Sequence, residues 1–444
     1  MTGRPFINIV GCVALAMLLT NLTAGAVSVS SWPEFRGPSG NGVAEANGVA
    51  EAPGGGGPSG PPLTWSETEN VRWKTPIPHK GWSTPVILDG QIWLTTATPE
   101  GNDFFAICLD AESGEIIFNE ALFHAADPEP LFSQVNSYAS PSPVIEPGRV
   151  YVHFGSYGTA CLDTAAGKVV WKRDDLPCRH YVGPGTSPVL FENLLILTFD
   201  GVDVQYLAAL DKSSGRTVWK TDRGIVWHDL DENGVPKENG TLRKSFSTPL
   251  VIDAGGSPQL IAPGATAAFA YDPRTGREIW KTHNDAHTPV ARTVFVDGLA
   301  FIATGYTKPS LWAVRVDGHG DVTGTHVVWK LDGALVPSEP SPLVVGNLLY
   351  MVNNDGAATC LETASGKICW TEQIGGNYEA SPVYVNGRIY ACSVQGKTTV
   401  LKAGPEFKVL ATNRLDTGLM ASPAVAGNAI FLRTKTHLYR IEAK

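Results

Sequence analysis

From residue 63 onward, apolar and polar positions alternate with a period of two, as in "RVYVHF" (149–154) and "RIYACS" (388–393). That period predicts short strands, each with one face buried. Turn signals such as "LDGQ" (88–91) and "VNGR" (385–388) punctuate the runs, and the Gly suits the backbone of a tight hairpin.

One pattern of this kind recurs eight times. Each copy opens with Ser/Thr-Pro and an apolar stretch, as in "STPVILDGQIWL", "HTPVARTVFVDGLAFI", "PSPLVVGNLLYMV" and "ASPVYVNGRIYAC". The prolines are Pro85, Pro143, Pro188, Pro249, Pro289, Pro342, Pro382 and Pro423, and their shortest spacings are 40, 40 and 41 residues. A second strand follows the first, and then a third that ends in an acid. Five copies place Gly four residues beyond that acid: Asp110/Gly114, Asp163/Gly167, Asp211/Gly215, Asp272/Gly276 and Glu362/Gly366. A fourth strand such as "KVVWK" carries Trp171, Trp219, Trp280, Trp329 or Trp370, with Phe118 and Leu410 as substitutes.

A single four-stranded sheet cannot bury both faces, whereas eight set radially can, with a large aromatic wedged between neighbours. The last copy, "THLYRIEAK" (436–444), stops one strand short, and "NVRWKTPI" (70–77), containing Trp73, supplies it. The expected fold is all-β: an eight-bladed β-propeller of four-stranded antiparallel blades, closed by an N-terminal strand that removes the open edges.

These repeats resemble the pyrroloquinoline-quinone (PQQ) repeat of the quinoprotein alcohol dehydrogenase-like propellers, over residues 63–444. In length and blade size the chain is similar to the outer-membrane assembly lipoprotein BamB. "WPEFRGPSGNG" (32–42), "GPEFKVL" (404–410) and "TKTHLYRI" (434–441) resemble a family of exported PQQ-like propeller proteins. The resemblance implies either a non-catalytic propeller or a PQQ-dependent dehydrogenase. The enzyme would need cationic partners for the tricarboxylate cofactor, a stacking aromatic, and Ca²⁺ held beside an Asp base. The adjacent Cys pair of several such dehydrogenases is missing from this sequence, as is much of the inserted sequence that walls off their cofactor.

Before the repeats, Arg4 and the apolar run from Phe6 to Leu19 read as a signal peptide over 1–26, cut after Ala26. The run is too short to span a bilayer, and no later stretch qualifies. The mature chain is expected to be periplasmic or extracellular. Residues 27–62 hold the duplication "NGVAEANGVAEA" and a Gly/Pro run. They read as a largely disordered linker, in which Trp32 and Phe35 are able to dock on the folded part.

Composition narrows the function. The net charge is −9 and no Lys/Arg run exists, so the footprint of a nucleic-acid binder is missing. Cys108, Cys161 and Cys360 share one repeat position and read as buried fillers, with a Cys360–Cys369 bridge left as an alternative. No Cys/His metal spacing occurs, and the histidines at 79, 180, 228 and 287 read as structural or surface groups. "DLDENG" places Asp229, Asp231 and Asn233 like the start of a calcium loop, with Glu238 as a further ligand.

Turns at the propeller mouth supply candidate binding residues: Lys80, Trp82, Arg243, Lys244, Arg292, Tyr306, Lys308, Asn353, Asp355, Glu379, Arg433 and Lys435. The cations among Arg243, Lys244, Lys308, Arg433 and Lys435 are expected to gather at one mouth and attract an anion. The leading expectation is a monomeric, cofactor-free module that binds protein, peptide or glycan. The alternative is the dehydrogenase with PQQ and Ca²⁺.

Overall fold

Each repeat folds as its alternation predicts. In blade 2 the strands Val144–Glu146, Arg149–His153, Thr159–Asp163 and Val169–Arg173 pair antiparallel in sequence order. The registers Tyr151↔Cys161 and Cys161↔Trp171 put these three side chains on one face. Among the residues described by this computed structural model (1–3, 31–44, 60–131, 136–306 and 308–443), the strands form eight such sheets. We number the blades by their innermost strands, from Val86–Leu88 in blade 1 to Ala424–Ala426 in blade 8. Most of the expected signal segment, its cleavage point, and residues 27–30 and 45–59 of the expected linker lie outside the described residues.

The ring closes through its N-terminal strand. Val71–Pro76 pairs antiparallel with His437–Ile441, with Trp73 opposite Arg440, and so completes blade 8. The innermost strand of blade 1 neighbours those of blades 2 and 8. The core is accordingly a set of wedges between adjacent blades rather than one central cluster.

The repeated Gly and Trp turn out to be partners across blades. Asp110 Oδ1 accepts from the Glu112 and Ser113 amides, and the Gly114 amide donates back to the Asp110 carbonyl at 2.9 Å. Gly114 adopts φ +74°, and a Cβ there would sit 2.5 Å from the ring of Trp73 in the preceding blade. Gly is therefore demanded twice, by conformation and by the aromatic lying on it. Gly215 under Trp171, Gly276 under Trp219 and Gly366 under Trp329 repeat the arrangement. The indole N–H groups of Trp73, Trp171, Trp219, Trp329 and Trp370 each donate to a carbonyl of the next blade at 2.9–3.2 Å. Trp280, fully buried, donates instead to Gln259 within its own blade.

Residues 31–44 cross one end of the ring. Trp32 exchanges backbone hydrogen bonds with Ile87 of blade 1, and the Pro33 carbonyl accepts from Ile145 of blade 2. Val43–Ala44 then pairs in parallel with the inner strand of blade 7. Between these anchors Arg36 is buried, donating to the carbonyls of Pro342 (2.6 Å), Asn41 (2.7 Å) and Pro382 (3.4 Å).

Blade 5 departs from the expected register. Its inner strand starts at Val294, so Arg292, and not the residue before Pro289, occupies the repeat's Ser/Thr position. A four-residue offset hid this in the sequence, where "HTP" looks like the usual opening. The described cysteines, including Cys360 and Cys369, are all free thiols.

Candidate functional site

In every blade except blade 5, the Ser/Thr before the repeat proline joins a girdle round the axis. Proline holds the residue before it in an extended conformation, which turns the hydroxyl toward the neighbouring blade. The amides of Thr84, Ser142 and Ser187 donate to the hydroxyls of Ser142, Ser187 and Thr248 at 2.9–3.0 Å. Those of Arg292, Ser341 and Ser381 donate to Ser341, Ser381 and Ser422 over the same distances. At Arg292 the hydroxyl is replaced by a buried guanidinium, which reaches Phe35 O (2.5 Å), Pro249 O (2.9 Å) and Glu34 Oε1 (3.3 Å). Arg292 and Arg36 thus clamp the N-terminal segment across the axis. Gly40 and Gly42 are needed there, since a Cβ would lie 2.5 Å from Arg292 Nη1 or 2.6 Å from Arg36 Nη2.

The result is a cup of about 990 Å³ with Phe35 in its floor and the hydroxyl girdle in its lower wall. Two residues before each girdle position stands an upper tier, one residue per blade. Blades 1 to 3 contribute Trp82, Ser140 and Gly185, and blades 4 and 5 contribute Phe246 and Val290. Blades 6 and 7 contribute Glu339 and Glu379, and blade 8 contributes Met420. Lys244, His287, Thr288 and Tyr306 form one side of the mouth, with Asp355 and Asn354 on the side of blade 6.

The charges of the cup are left uncompensated. Glu339 accepts from Asn354, whose amide is oriented by the Tyr378 carbonyl and the Ser338 N–H. Burial raises the Glu339 carboxyl above its ordinary range. Burial, and then the neighbouring Glu339 charge, push Glu379 up to about 7. Lys244 is only 7% exposed and lies 4.7 Å from the ring centre of Tyr181, and burial lowers its pKa. The Glu129 carboxylate attracts its ammonium from a distance, but among the described residues no acceptor hydrogen-bonds to it and no acid forms an ion pair with it. Tyr181, Glu238 and Thr288 near this mouth all have positive φ, 68°, 50° and 59°, a conformation that costs a β-branched Thr most.

Of the residues predicted for the mouth, the cup brings together Trp82, Lys244, Tyr306, Asp355 and Glu379, with Glu238 from the suggested calcium loop. The expected gathering of cations does not occur. Arg243 is paired with Asp229 at 2.5 Å and stacked on Trp227. Arg433 is buried behind the wall, donating to Ser83 and Thr95. Lys308 and Lys435 are exposed outside the cup, and Lys80 lies over Trp82 at its rim. Asn353 closes its own turn by accepting from the Asp355 and Ala357 amides.

The calcium-loop residues have separate tasks. Asp229 serves Arg243, Asp231 caps the amides of Asn233 and Val235, and Glu238 faces the cup. Among the described residues no three His, Cys, Asp or Glu side chains converge as a metal site would require. A second, water-sized void of about 10 Å³ lies between His153, His180 and Asp200. Asp200 is locked there by Arg223 at 2.7 Å, and His180 accepts from the Ser156 amide at 3.0 Å, so the groups around it serve the fold.

Sequence reasoning missed Glu339 and Asn354 and read His287 as structural or surface; Phe35 docks as expected, though it was not foreseen as part of the cup. Glu339 was within reach: "SEPSP" and "YEASP" put both acids two residues before a girdle serine.

The sequence profile described as outer membrane protein assembly factor BamB matches residues 63–175 and 203–444. The chain belongs to this family. The BamB protein of Shewanella oneidensis is 22% identical over 250 residues, a match taking in 53% of this chain and 57% of that one. The chain thus spans little more than half the length of that curated relative. The crystal structure of BamB from Moraxella catarrhalis shares the fold with a TM-score of 0.56, at 12% identity, over 83% of this chain and 99% of its own. The quinohemoprotein alcohol dehydrogenase of Comamonas testosteroni has a TM-score of 0.63, also at 12% identity, over 95% of this chain and 82% of its own. At such identities these two likenesses establish the propeller fold alone.

Proposed function

We propose that the chain is an exported, non-catalytic binding module whose axial cup receives a peptide segment of a partner. Membership of a family described as an assembly factor supports a binding role, and the apolar, Arg4-led N-terminus supports export to the periplasm or beyond. The observation that carries the reading is the cup itself. It is closed below by the chain's own residues and open above, and its volume suits a ligand of a few residues. Its wall mixes aromatic and aliphatic surface with fixed polar groups, as peptide recognition requires.

The dehydrogenase alternative asks for a different wall. PQQ carries three carboxylates, whereas among the described residues Lys244 is the one Lys or Arg lining the cup, beside Glu238, Glu339, Asp355 and Glu379. That charge does not fit a tricarboxylate, and no catalytic step is derived through it.

Equilibrium dialysis of the full chain against a pool of end-blocked dodecapeptides tests the proposal. We expect retention of a subset of peptides, abolished by Met420→Trp, which fills the cup from blade 8. Retention unaffected by that substitution would place binding elsewhere. A protein-bound PQQ absorption band in the presence of Ca²⁺, together with dye-linked dehydrogenase activity, would replace the reading.

A further inference from the structure

We propose that the cup is built for a small zwitterion, a short peptide with free ends, whose carboxylate meets Lys244 and whose ammonium sits between Glu339 and Glu379. The inference deepens the peptide-binding reading and rests on it.

The first observation is Lys244. It is more than nine-tenths buried, lines the cup and has the Tyr181 ring beside it, while the nearby Glu129 carboxylate is engaged by the Tyr181 amide and Arg179 and makes no bond to it. A buried ammonium without a counter-ion is an expensive arrangement unless something completes it. An entering carboxylate would do so, with the Thr288 hydroxyl and His287 on the same rim.

The second observation is independent of the first. Glu339 and Glu379 occupy the same tier on adjacent blades, and among the described residues the one side chain that bonds either of them is the neutral amide of Asn354. Two partly buried carboxylates with no cation between them repel, and each raises the cost of ionising the other. An ammonium placed between them removes both penalties.

The third observation is their separation. In a ring of eight, blade 7 faces blade 3 across the axis, and Lys244 enters from the connection between blades 3 and 4. Glu379 therefore stands on the far side of the axis from Lys244, with Glu339 one blade nearer, and among the described residues neither has collapsed into an ion pair with it. The space between them is the cup, with Phe35, Trp82, Phe246 and Val290 offering apolar surface to whatever joins the two ends. A neutral glycan would leave all three charges unsatisfied, and a dianion or a polycation would satisfy only one wall.

Equilibrium dialysis against a random tripeptide pool distinguishes the outcomes. Four forms of the pool are compared: free-ended, N-acetylated, C-amidated and blocked at both ends. The free-ended pool should be retained at least tenfold more tightly than either singly blocked form. Lys244→Met should bind free-ended and amidated pools alike. The double variant Glu339→Gln/Glu379→Gln should bind free-ended and acetylated pools alike. Unchanged melting temperatures guard against misfolding.

Retention of the free-ended pool should also weaken from pH 7 to pH 6, as the acidic pair takes up a proton while the peptide ammonium, whose pKa is about 7.7–8.0, is already mostly charged at the upper end. The charged or titratable groups facing that pair are Glu238, Asp355, Lys244 and His287. Of these, His287 has its pKa lowered by burial and by Lys244, so it takes up charge at lower pH than a free imidazole and contributes less to the effect. Equal retention of all four forms would overturn the zwitterion while leaving the peptide reading intact. If neither the tripeptide nor the dodecapeptide pools were retained, both would fall.

Discussion

The two levels of the cup treat buried charge in opposite ways. At the floor, Arg36 and Arg292 are fully buried, yet main-chain carbonyls and Glu34 satisfy most of their N–H groups. Burial and the nearby Arg292 charge pull Arg36 down to about 9, which leaves it a cation at neutral pH. Higher in the cup, Lys244, Glu339 and Glu379 are buried to a lesser degree, and among the described residues none of them is in an ion pair. Partnered buried charge fixes a structure, whereas unpartnered buried charge costs stability and is retained only where something else uses it. The comparison separates residues that hold the cup together from residues that define its contents.

The comparison presumes a closed ring, so the largest predicted effect is on closure. Deleting residues 63–78 removes the strand Val71–Pro76 and bares the edge of His437–Ile441 along with the core beneath it. Loss of the cooperative melt in circular dichroism is expected. An unchanged melting temperature would refute closure by this strand.

Next comes the floor. Arg292→Ala leaves the Phe35 and Pro249 carbonyls and Glu34 unsatisfied, and should cost about 3–5 kcal/mol, as for removal of one partner of a buried charge network. Residues 31–44 should then become open to limited proteolysis. Denaturant melts and a protease time course read the two effects, and a loss below about 1 kcal/mol would show that the clamp is not structural.

The wedge tryptophans supply a control with no charge involved. Trp280 is fully buried, and Trp280→Ala should cost about 3–5 kcal/mol. Trp171 is more exposed than Trp280, so its replacement by Ala should cost less, about 2–3 kcal/mol, through lost area and the bond to Lys212 O. Equal losses would mean that burial does not rank these sites.

How much of this was readable from the chain follows the same division. The period-two runs, the Asp-to-Gly turns and the spacing of Trp73 and Trp171 specify blades, and they specify them eight times over, so one misread copy does not matter. The offset in blade 5 shows the limit. Pro289 imitates the usual opening, and only the pairing of Val294–Val296 reveals Arg292 in the serine's place. The cup was less legible because its residues belong to eight distant segments, and a side chain's direction at a turn carries no periodic signal. Arg243, Arg433 and Arg292 look alike in sequence. One is paired with an acid, one is buried behind the wall and one clamps the floor, according to which carbonyl or carboxylate happens to be near.

The smallest predicted effect bears most directly on function. Glu379 has its carboxyl raised from the ordinary 4.5 to about 7 in the folded protein. Between those pH values the folded chain keeps a proton that the unfolded chain has released, so stability is fully present below about 4.5 and is lost as pH rises through about 7. Glu379→Gln abolishes that loss, because a neutral amide has nothing to ionise and no longer repels Glu339. The variant should match the parent near pH 5 and melt at a higher temperature at pH 8, by a degree or two, while losing its grip on ammonium-bearing ligands. A stabilising substitution that removes binding is what a site held at the expense of stability produces. If Glu379→Gln instead destabilised the protein at pH 8, an unseen cation would already be satisfying the pair, and the upper tier would belong with the floor as structure.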